Sequence, residues 1–298
     1  MNDIYSNTKL VNRINELFHD MEEDDYNTTH PEIFTLEKEN WDGIIEKHIK
    51  GKEFNNIIDY GCGTGFVPLT ISPHLNIKGS YYLCDISEKK LEIAKKSLSK
   101  FPKIQYRFVK TESIRVDLPD DSLDLITLNS VLHHLPNYPE ALAEFQRLLR
   151  PGGILMIVHE PNRLFARNIL IRFLNIVFNP RQFAFDFLIK TNLYDRVVKY
   201  RPQSRFKKIG EEINKTLVVE NILHKPLLLS QIFQLIDVHV FTGGFDPFEI
   251  HRKYLANFQS VDYRTYFYLE RSNKLDFLNK LFPKSGSEFY AIWQKQNL

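Results

Sequence analysis

An apolar run followed by a glycine-rich turn constrains the fold of this chain more than any other stretch. Residues 57–60 read IIDY and residues 61–65 read GCGTG, so three glycines stand at every second position after an acidic residue. Glycine tolerates positive φ and has no Cβ, so backbone in such a turn can come close to a ligand. The run predicts a buried strand that ends in a carboxylate, then a ligand-binding turn. An ordinary strand-to-helix loop is the alternative for this stretch alone.

Strand-like and helix-like patterns alternate from residue 54 to residue 160. The predicted strands are 56–60, 81–85, 104–109, 123–128 and 153–159, and the predicted helices are 64–74, 87–99 and 138–149. Such alternation requires right-handed βαβ crossovers and produces a parallel sheet with helices on both faces. We therefore predict an α/β fold for this part of the chain.

Polar residues follow the predicted strands. Ligands of open parallel sheets bind beyond the carboxyl ends of the strands, so these residues are candidates for a site. A purely structural sheet would not need a polar side chain at each end. In chain order they are Asp59, Asp85, Glu112, Asn129, His133, His134, His159 and Glu160.

Helical patterns flank this core. Residues 10, 14 and 17 share one apolar helical face, as do residues 41, 44, 45 and 49, with a break at His30-Pro31-Glu32 between them. Towards the C-terminus, a helix is predicted at 228–235. Strand-like segments at 238–242 and 289–293 would extend the sheet.

The segment after residue 160 is rich in aromatic and basic residues. Residues 164–178 are strongly apolar with Arg167 and Arg172 among them, residues 183, 185 and 187 are phenylalanines, and residues 199–208 read as a basic loop. The first stretch fits an amphipathic helix that covers a pocket, forms a homodimer face or lies on a membrane surface. Charges interrupt it, so a lid or a homodimer face is favoured over membrane contact.

Net charge and cysteine content exclude several classes of protein. The chain of 298 residues has a formal net charge of +2, so we expect no nucleic-acid partner. Two cysteines, Cys62 and Cys84, form no recognisable disulfide or zinc motif, and we expect no metal. The N-terminus reads MNDIY, without a basic start and an apolar core, which favours a cytoplasmic protein.

Four motifs stand at the predicted strand ends. In order they are DYGCGTG at 59–65, LCDIS at 83–87, LDLI at 123–126 with VLHHL at 131–135, and LLRPGGIL at 148–155. In type, order and spacing they resemble the motifs of class I S-adenosylmethionine-dependent methyltransferases, particularly the small-molecule, methyltransferase type 11-like branch. The resemblance covers about a third of the chain. A dinucleotide-binding enzyme would carry G-x-G-x-x-G, whereas this turn reads G-x-G-x-G.

The resemblance implies an architecture for the whole chain. It implies a Rossmann-like, doubly wound sheet of seven strands with an antiparallel last strand, to which residues 289–293 correspond. A helical N-terminal segment and a helical lid insertion after the fifth strand complete the fold. We expect a cap at 1–50, the cofactor-binding core at 51–160, an aromatic-rich acceptor insertion at 161–225 and the end of the sheet at 226–298.

The resemblance also implies S-adenosyl-L-methionine as the cofactor. In this family the first acidic residue and the glycine turn hold the methionine end, and the second acidic residue accepts from the ribose hydroxyls. An acid after the third strand binds the adenine, but this chain has Thr111-Glu112-Ser113 where the family usually has Gly-Asp-Ala. The expected cofactor contacts are Asp59, Gly61, Cys62, Gly63, Asp85, Ile86, Glu112 and Asn129.

A histidine near the transferred methyl group would act as a base for a hydroxyl acceptor. Val131-Leu132-His133 is similar to the segment that carries the catalytic histidine of plant-type O-methyltransferases, and Glu160 stands where those enzymes place an orienting acid. Alternatively, His133 caps a helix or packs at the sheet edge. Packing at the sheet edge is the role that we expect of His159. O-methylation is favoured; C- or N-methylation by alignment alone and a non-catalytic partner subunit with this fold are the alternatives.

The expected class of methyl acceptor rests only on composition and on the resemblance. In this family the N-terminal segment and the insertion bind it, and here the insertion is aromatic. We therefore expect a small, apolar or aromatic metabolite, either a natural-product intermediate or an isoprenoid quinone precursor. The basic residues at 199–208 would meet an anionic group on it.

Overall fold

The apolar strands of the sequence pair into one seven-stranded sheet. The computed structural model describes residue 4 and residues 7–21, 36–111, 113–178, 180–198, 205–241, 243–267 and 280–297. The strands of the sheet are β1 Ile57–Tyr60, β2 Ser80–Asp85, β3 Gln105–Lys110, β4 Leu123–Asn129, β5 Leu149–Pro161, β6 Phe258–Tyr266 and β7 Glu288–Lys295. Their order across the sheet is β3-β2-β1-β4-β5-β7-β6. Two further strands of two residues each, Glu53–Phe54 and Asn76–Ile77, pair separately.

Strand direction follows the predicted pattern. Strands β1 to β5 run parallel, and β7 pairs antiparallel with both β5 and β6. The first strand lies in the middle of the sheet and is buried at all four positions, as expected of a parallel strand covered on both faces. The α/β fold with an antiparallel last strand is therefore confirmed, as are the five parallel strands.

Helices cover the sheet and extend beyond it. They are α1 Thr8–Met21, α2 Leu36–Ile44, α3 Phe66–Ile71, α4 Glu88–Leu98, α5 Tyr138–Leu148, α6 Arg163–Arg167, α7 Ile169–Phe178, α8 Pro180–Lys190, α9 Tyr194–Val198, α10 Arg205–Val219, α11 Leu229–Ile236 and α12 Pro247–Tyr254. The third helix is shorter than predicted because it tightens into a 3₁₀ turn at Ser72–His74. The side chain of Ser87 caps α4 by accepting from the Lys90 N–H at 3.1 Å.

Two sequence-based strand assignments at the C-terminal end need correction. The predicted strand at 238–242 is wrong, because residues 238–241 form turns after α11, and residue 242 lies outside the described residues. Conversely, β6 was not predicted. It reads FQSVDYRTY and is exposed at several positions along its length. An antiparallel edge strand has one open side, so it needs no continuous apolar run to form.

The insertion after β5 is mainly helical in its described part, with boundaries that differ from the prediction. The helix expected at 164–178 is two helices separated at Asn168, whose side chain accepts from the Ile171 N–H at 3.2 Å. Residues 183, 185 and 187 lie in α8. The basic region at 199–208 is not wholly a loop, because α10 begins at Arg205; residues 199–204 lie outside the described residues, as does the break at His30-Pro31-Glu32.

A third hydrophobic cluster lies apart from the two that cover the sheet. It joins the apolar face of α1 to α10 and α11, with Leu10, Ile14, Ile213 and Ile232 among its buried members. The N-terminal helix therefore packs on elements that lie about 200 residues later in the chain. Within the described part of the chain, no helix has the length and apolar content to cross a membrane.

We expect the glycine turn to tolerate alanine at Gly63 better than at Gly61. Both have positive φ, but a Cβ on Gly61 would lie 2.4 Å from Val131 Cγ2, whereas a Cβ on Gly63 meets nothing within 4 Å. Gly61→Ala should lower the free energy of unfolding by about 3 kcal/mol, and Gly63→Ala by about 1 kcal/mol, in urea titrations. In a Val131→Ala background the difference should shrink, because only the Cβ of residue 131, 3.2 Å away, remains in contact; an unchanged difference would contradict the contact with the Val131 methyl groups.

Candidate active site

A cavity of about 610 Å³ opens at the carboxyl ends of the central strands. One wall is formed by the glycine turn and by the ends of β2, β4 and β5. The opposite wall comes from α1 and from the helices after β5. The cavity thus lies where the sheet and the third hydrophobic cluster meet.

The glycine turn is held by backbone and carboxylate contacts from the neighbouring strand. The N–H groups of Gly61 and Cys62 donate to the carbonyl oxygen of Cys84 at 2.7 and 2.9 Å. Asp85 Oδ2 accepts from the Gly63 N–H at 2.7 Å, and Asp85 Oδ1 accepts from the Ser87 N–H at 2.9 Å. Asp85 therefore ties the turn after β1 to the turn after β2, and both face the cavity.

Two of the expected cofactor residues lie behind the cavity wall. Asp59 is fully buried and Oδ1 accepts from the Thr127 hydroxyl at 2.5 Å. Burial raises the pKa of Asp59 to about 7; the Thr127 hydrogen bond opposes this and the charge of Asp85 adds to it. Burial also raises the pKa of the Cys62 thiol well above its usual range. Neither residue lines the cavity, so their direct contact with a cofactor stays a prediction.

The remaining expected contacts lie on the cavity wall, with one exception. Gly61, Gly63, Asp85, Ile86 and Asn129 all line the cavity. The exception is Glu112, which lies outside the described residues.

Asn129 connects the end of β4 to α2. Its Oδ1 accepts from Trp41 Nε1 at 2.9 Å, and its Nδ2 donates to Glu37 Oε2 at 2.8 Å. Both partners are buried. The N-terminal region therefore orients a residue at the centre of the site, a connection that the residue spacing did not reveal.

Glu160 organises the turn that carries His133. Its side chain is fully buried, and Oε1 accepts from the N–H groups of Val131 and Leu132, both at 2.7 Å. Oε2 accepts from the His133 N–H at 3.1 Å and lies 2.9 Å from His133 Nδ1. The two residues proposed from sequence as base and orienting acid are therefore in direct contact, and His133 faces the cavity.

The charge of Glu160 decides the protonation of His133. Burial by itself lowers the pKa of this histidine, but the negative charge and the hydrogen bond of Glu160 outweigh it. Asp237 and Glu288 act in the same direction, and the pKa of His133 rises to about 9. At pH 7 the ring is therefore mainly an imidazolium ion.

His134 and Asp237 lie beside His133 and form a cluster that sequence reasoning did not find. Asp237 Oδ1 lies 3.8 Å from His133 Nε2 and 3.4 Å from His134 Nδ1. These three side chains, all within the described residues, each offer one donor atom, and the three atoms lie within 4.8 Å of one another. Such a set could hold a metal ion. However, His134 Nδ1 donates to the Ile236 carbonyl at 2.8 Å. We interpret the cluster as part of the charged surroundings of His133.

His134 is held in the neutral form within this cluster. Burial, followed by the charges of His133, His19 and Lys90, holds the pKa of His134 well below its usual range. The same surrounding charges disfavour a divalent cation at this point. Asp237 was missed because it follows α11, about 100 residues after the histidines.

A second group of titratable side chains lines the cavity beside β5. His159 has a positive φ of 59°, and its Nε2 lies 3.6 Å from Glu37 Oε1. Burial raises the pKa of Glu288, at the start of β7, to about 7, while His159 and His133 oppose the rise. His159 was expected only as a sheet-edge histidine, and Glu37 and Glu288 were not identified because their sequence neighbours carry no motif.

The strand order, the antiparallel β7 and the glycine turn held by Asp85 together define a Rossmann-like fold of the class I methyltransferase type. The sequence profile of the ubiE/COQ5 methyltransferase family matches residues 6–172. The chain belongs to this family. The resemblance seen in the motifs is thereby confirmed, together with S-adenosylmethionine as the cofactor of the family.

Similar proteins support the same classification. A demethylmenaquinone methyltransferase of Lysinibacillus sphaericus is 25% identical over 116 residues, 39% of this chain and 49% of that protein. One of Staphylococcus epidermidis is 31% identical over 117 residues, 38% of this chain and 48% of that protein. The chain thus spans about half the length of the curated relatives it matches.

One similar solved structure is a complex of a Haloferax volcanii methyltransferase with the Trm112 methyltransferase activator. That likeness covers 92% of this chain and 98% of the other, with a TM-score of 0.50 and 10% identity. At this identity it shows the shared fold alone.

We expect the pKa of His133 to depend on Glu160. In Glu160→Gln the negative charge is lost and burial then dominates, so the pKa of His133 should fall from about 9 to below 6.5. Histidine resonances followed by NMR between pH 5 and 10 would measure this. Glu288→Gln is the matched control and should lower the same pKa by less than one unit. An unchanged pKa in Glu160→Gln would refute the coupling.

Proposed function

We propose that this protein transfers the methyl group of S-adenosylmethionine to a hydroxyl group of an apolar, aromatic acceptor. The observation that carries the proposal is the His133–Glu160 pair, which faces the same cavity as the glycine turn and Asp85. A cofactor-binding turn and a carboxylate-oriented base in one cavity are the parts that O-methylation requires.

The glycine-turn wall fits the cofactor. A Cβ at Gly63 would meet nothing within 4 Å, so the backbone borders open space there. Asp85 presents a carboxylate whose oxygens, each with one N–H donor from the chain, retain acceptor capacity for the two ribose hydroxyls. Gly61, Gly63, Asp85, Ile86 and Asn129 would hold the cofactor. When bound, it supplies an electrophilic methyl group on a positively charged sulfur.

The acceptor would occupy the side of the cavity that faces the helices. Aromatic residues from α1 and from the helices after β5 line it: Phe18, Phe185, Phe206 and Phe233. Polar side chains at the edge of the sheet, His133, Asn129 and Glu288, line the same cavity. Aromatic walls with a few polar groups suit a flat apolar molecule that carries a reactive hydroxyl. Open space beside His133 supports a catalytic role over a non-catalytic partner subunit.

His133 would remove the hydroxyl proton as the methyl group transfers. Nε2, which lies 3.8 Å from Asp237 Oδ1, is the position for this step, because Nδ1 contacts Glu160, which stabilises the imidazolium ion that forms. With a pKa of about 9, about one His133 in a hundred is neutral at pH 7. The base form therefore becomes more abundant as the pH rises towards 9.

C-methylation is the second candidate, and the names of the relatives point to an acceptor of the quinone class. They are called demethylmenaquinone methyltransferases. Removal of a phenolic proton by His133 would also increase the electron density on the ring carbons of an aromatic acceptor, so the same base serves either outcome. N-methylation has no supporting observation beyond alignment in the cavity.

We further propose that residues 1–50 and 161–225 form a cap over the acceptor, while residues 51–160 and 226–298 form the core. The packing of α1 against α10 supports a single cap from two distant segments, and α11, from the C-terminal segment, packs against both. The described helices of both segments contribute to the cavity lining, including Phe18 from α1 and Phe206 from α10.

We expect Asp85→Ala to lose at least about tenfold in S-adenosylmethionine affinity, because a carboxylate that accepts charge-assisted or paired hydrogen bonds contributes about 1.5–3 kcal/mol. Isothermal titration calorimetry would measure it. Glu88→Ala, an exposed acidic residue in the first turn of α4, is the matched control and should bind as the wild type does. Absence of wild-type binding, or equal binding by Asp85→Ala, would refute the cofactor assignment.

We expect His133→Ala to lower turnover by roughly 10²-fold while cofactor affinity stays the same, since general-base catalysis contributes about 10²–10⁴. The wild-type rate should increase between pH 7 and 9, following the neutral form of His133, and the variant should lose this increase. Methyl transfer from labelled cofactor to phenolic acceptors would measure both. His74→Ala, at an exposed histidine outside the cavity, is the control and should keep the wild-type rate. A rate independent of pH in the wild type would exclude the base role.

A further inference from the structure

One face of α7 and α8 exposes apolar side chains to solvent. Ile169 is 83% exposed, Phe173 60% and Val177 55%, and their spacing of four residues places them on one side of α7. The opposite side of α7 is anchored, because Ile171 is buried against Phe267. The exposed apolar residues of these two consecutive helices, residues 169, 170, 173, 177, 183 and 187, are together called the outer apolar face.

The outer apolar face lies in the most basic segment of the chain. Residues 163–208 contain eleven basic and two acidic residues, a net charge of +9, while the remainder contains 28 basic and 35 acidic residues, a net charge of −7. The overall charge of +2 conceals this division. Exposed apolar side chains within a basic segment are typical of helices that lie in the interface of an anionic bilayer.

The same helices adjoin the cavity. In α8, Phe183 and Phe187 are exposed and stack on each other with ring centroids 6.5 Å apart, whereas Phe185 lines the cavity. A single helix therefore separates the outer apolar face from the aromatic side of the cavity. An apolar molecule dissolved in a bilayer at this face would therefore lie one helix away from the site.

We propose that the outer apolar face docks on an anionic lipid bilayer and that the acceptor enters the cavity from this side. The docking step is independent of the proposed reaction. The second half of the proposal, entry of the acceptor from this side, rests on the proposed function, because it treats the aromatic cavity as the acceptor site. A second copy of the chain is a less favourable occupant, because a symmetric contact would bring two segments of charge +9 together.

Vesicle flotation tests the docking step without any reaction. The full-length protein should float with vesicles of phosphatidylcholine containing about one third phosphatidylglycerol, bind at least tenfold less to phosphatidylcholine alone, and dissociate as salt increases. The double variant Ile169→Ser/Phe173→Ser should lose at least tenfold in binding. Both side chains are exposed, so the fold and S-adenosylmethionine affinity should be unchanged.

A control variant separates this face from general surface hydrophobicity. Val219→Ser/Val261→Ser removes two exposed apolar side chains on other elements and should float as the wild type does. Failure of the wild type to bind anionic vesicles, or equal losses in both double variants, would overturn the proposal. A wild-type dimer that Ile169→Ser/Phe173→Ser converts to a monomer, without vesicle binding, would assign the face to self-association instead.

Discussion

The buried carboxylate of Glu160 is the interaction on which the arrangement of the site depends. A fully buried negative charge is costly unless donors surround it, and Glu160 meets three backbone N–H groups and one imidazole nitrogen. These donors all belong to residues 131–133, after β4, while Glu160 belongs to β5. One side chain therefore fixes the turn between two strands and determines the charge of His133.

Asp85 has the equivalent role on the cofactor side. It joins the glycine turn to the start of α4 through two backbone donors, so the turn keeps its shape through contacts outside its own residues. Both acids stand at carboxyl ends of parallel strands, where successive loops meet at one edge of the sheet. Helices close the cavity between them, and α1 packs against α10 and α11 in one hydrophobic cluster. Two segments that are distant in sequence therefore shape one site.

Residue patterns were sufficient for the parallel core and insufficient for the elements added to it. Continuous apolar runs predicted β1 and β4, because strands buried on both faces have no polar side. The mixed sequence of β6 gave no such signal. The turns at 238–241 were mistaken for a strand, because local hydrophobicity does not distinguish a buried turn from a strand. Asp237, Glu37 and Glu288 were missed for a related reason: each reaches the site through long-range packing.

What the sequence by itself determined is the strand–turn–helix series and the residues at its strand ends, because glycine conformation, apolar periodicity and the order of motifs are local properties. Only the tertiary structure decided the contact of His133 with Glu160, the placement of Asp59 behind the cavity wall and the direction in which α8 faces. Each of these depends on which side chains are buried against which distant elements. Burial and neighbouring charge, which set the protonation of His133, are properties of the folded chain and not of residue spacing.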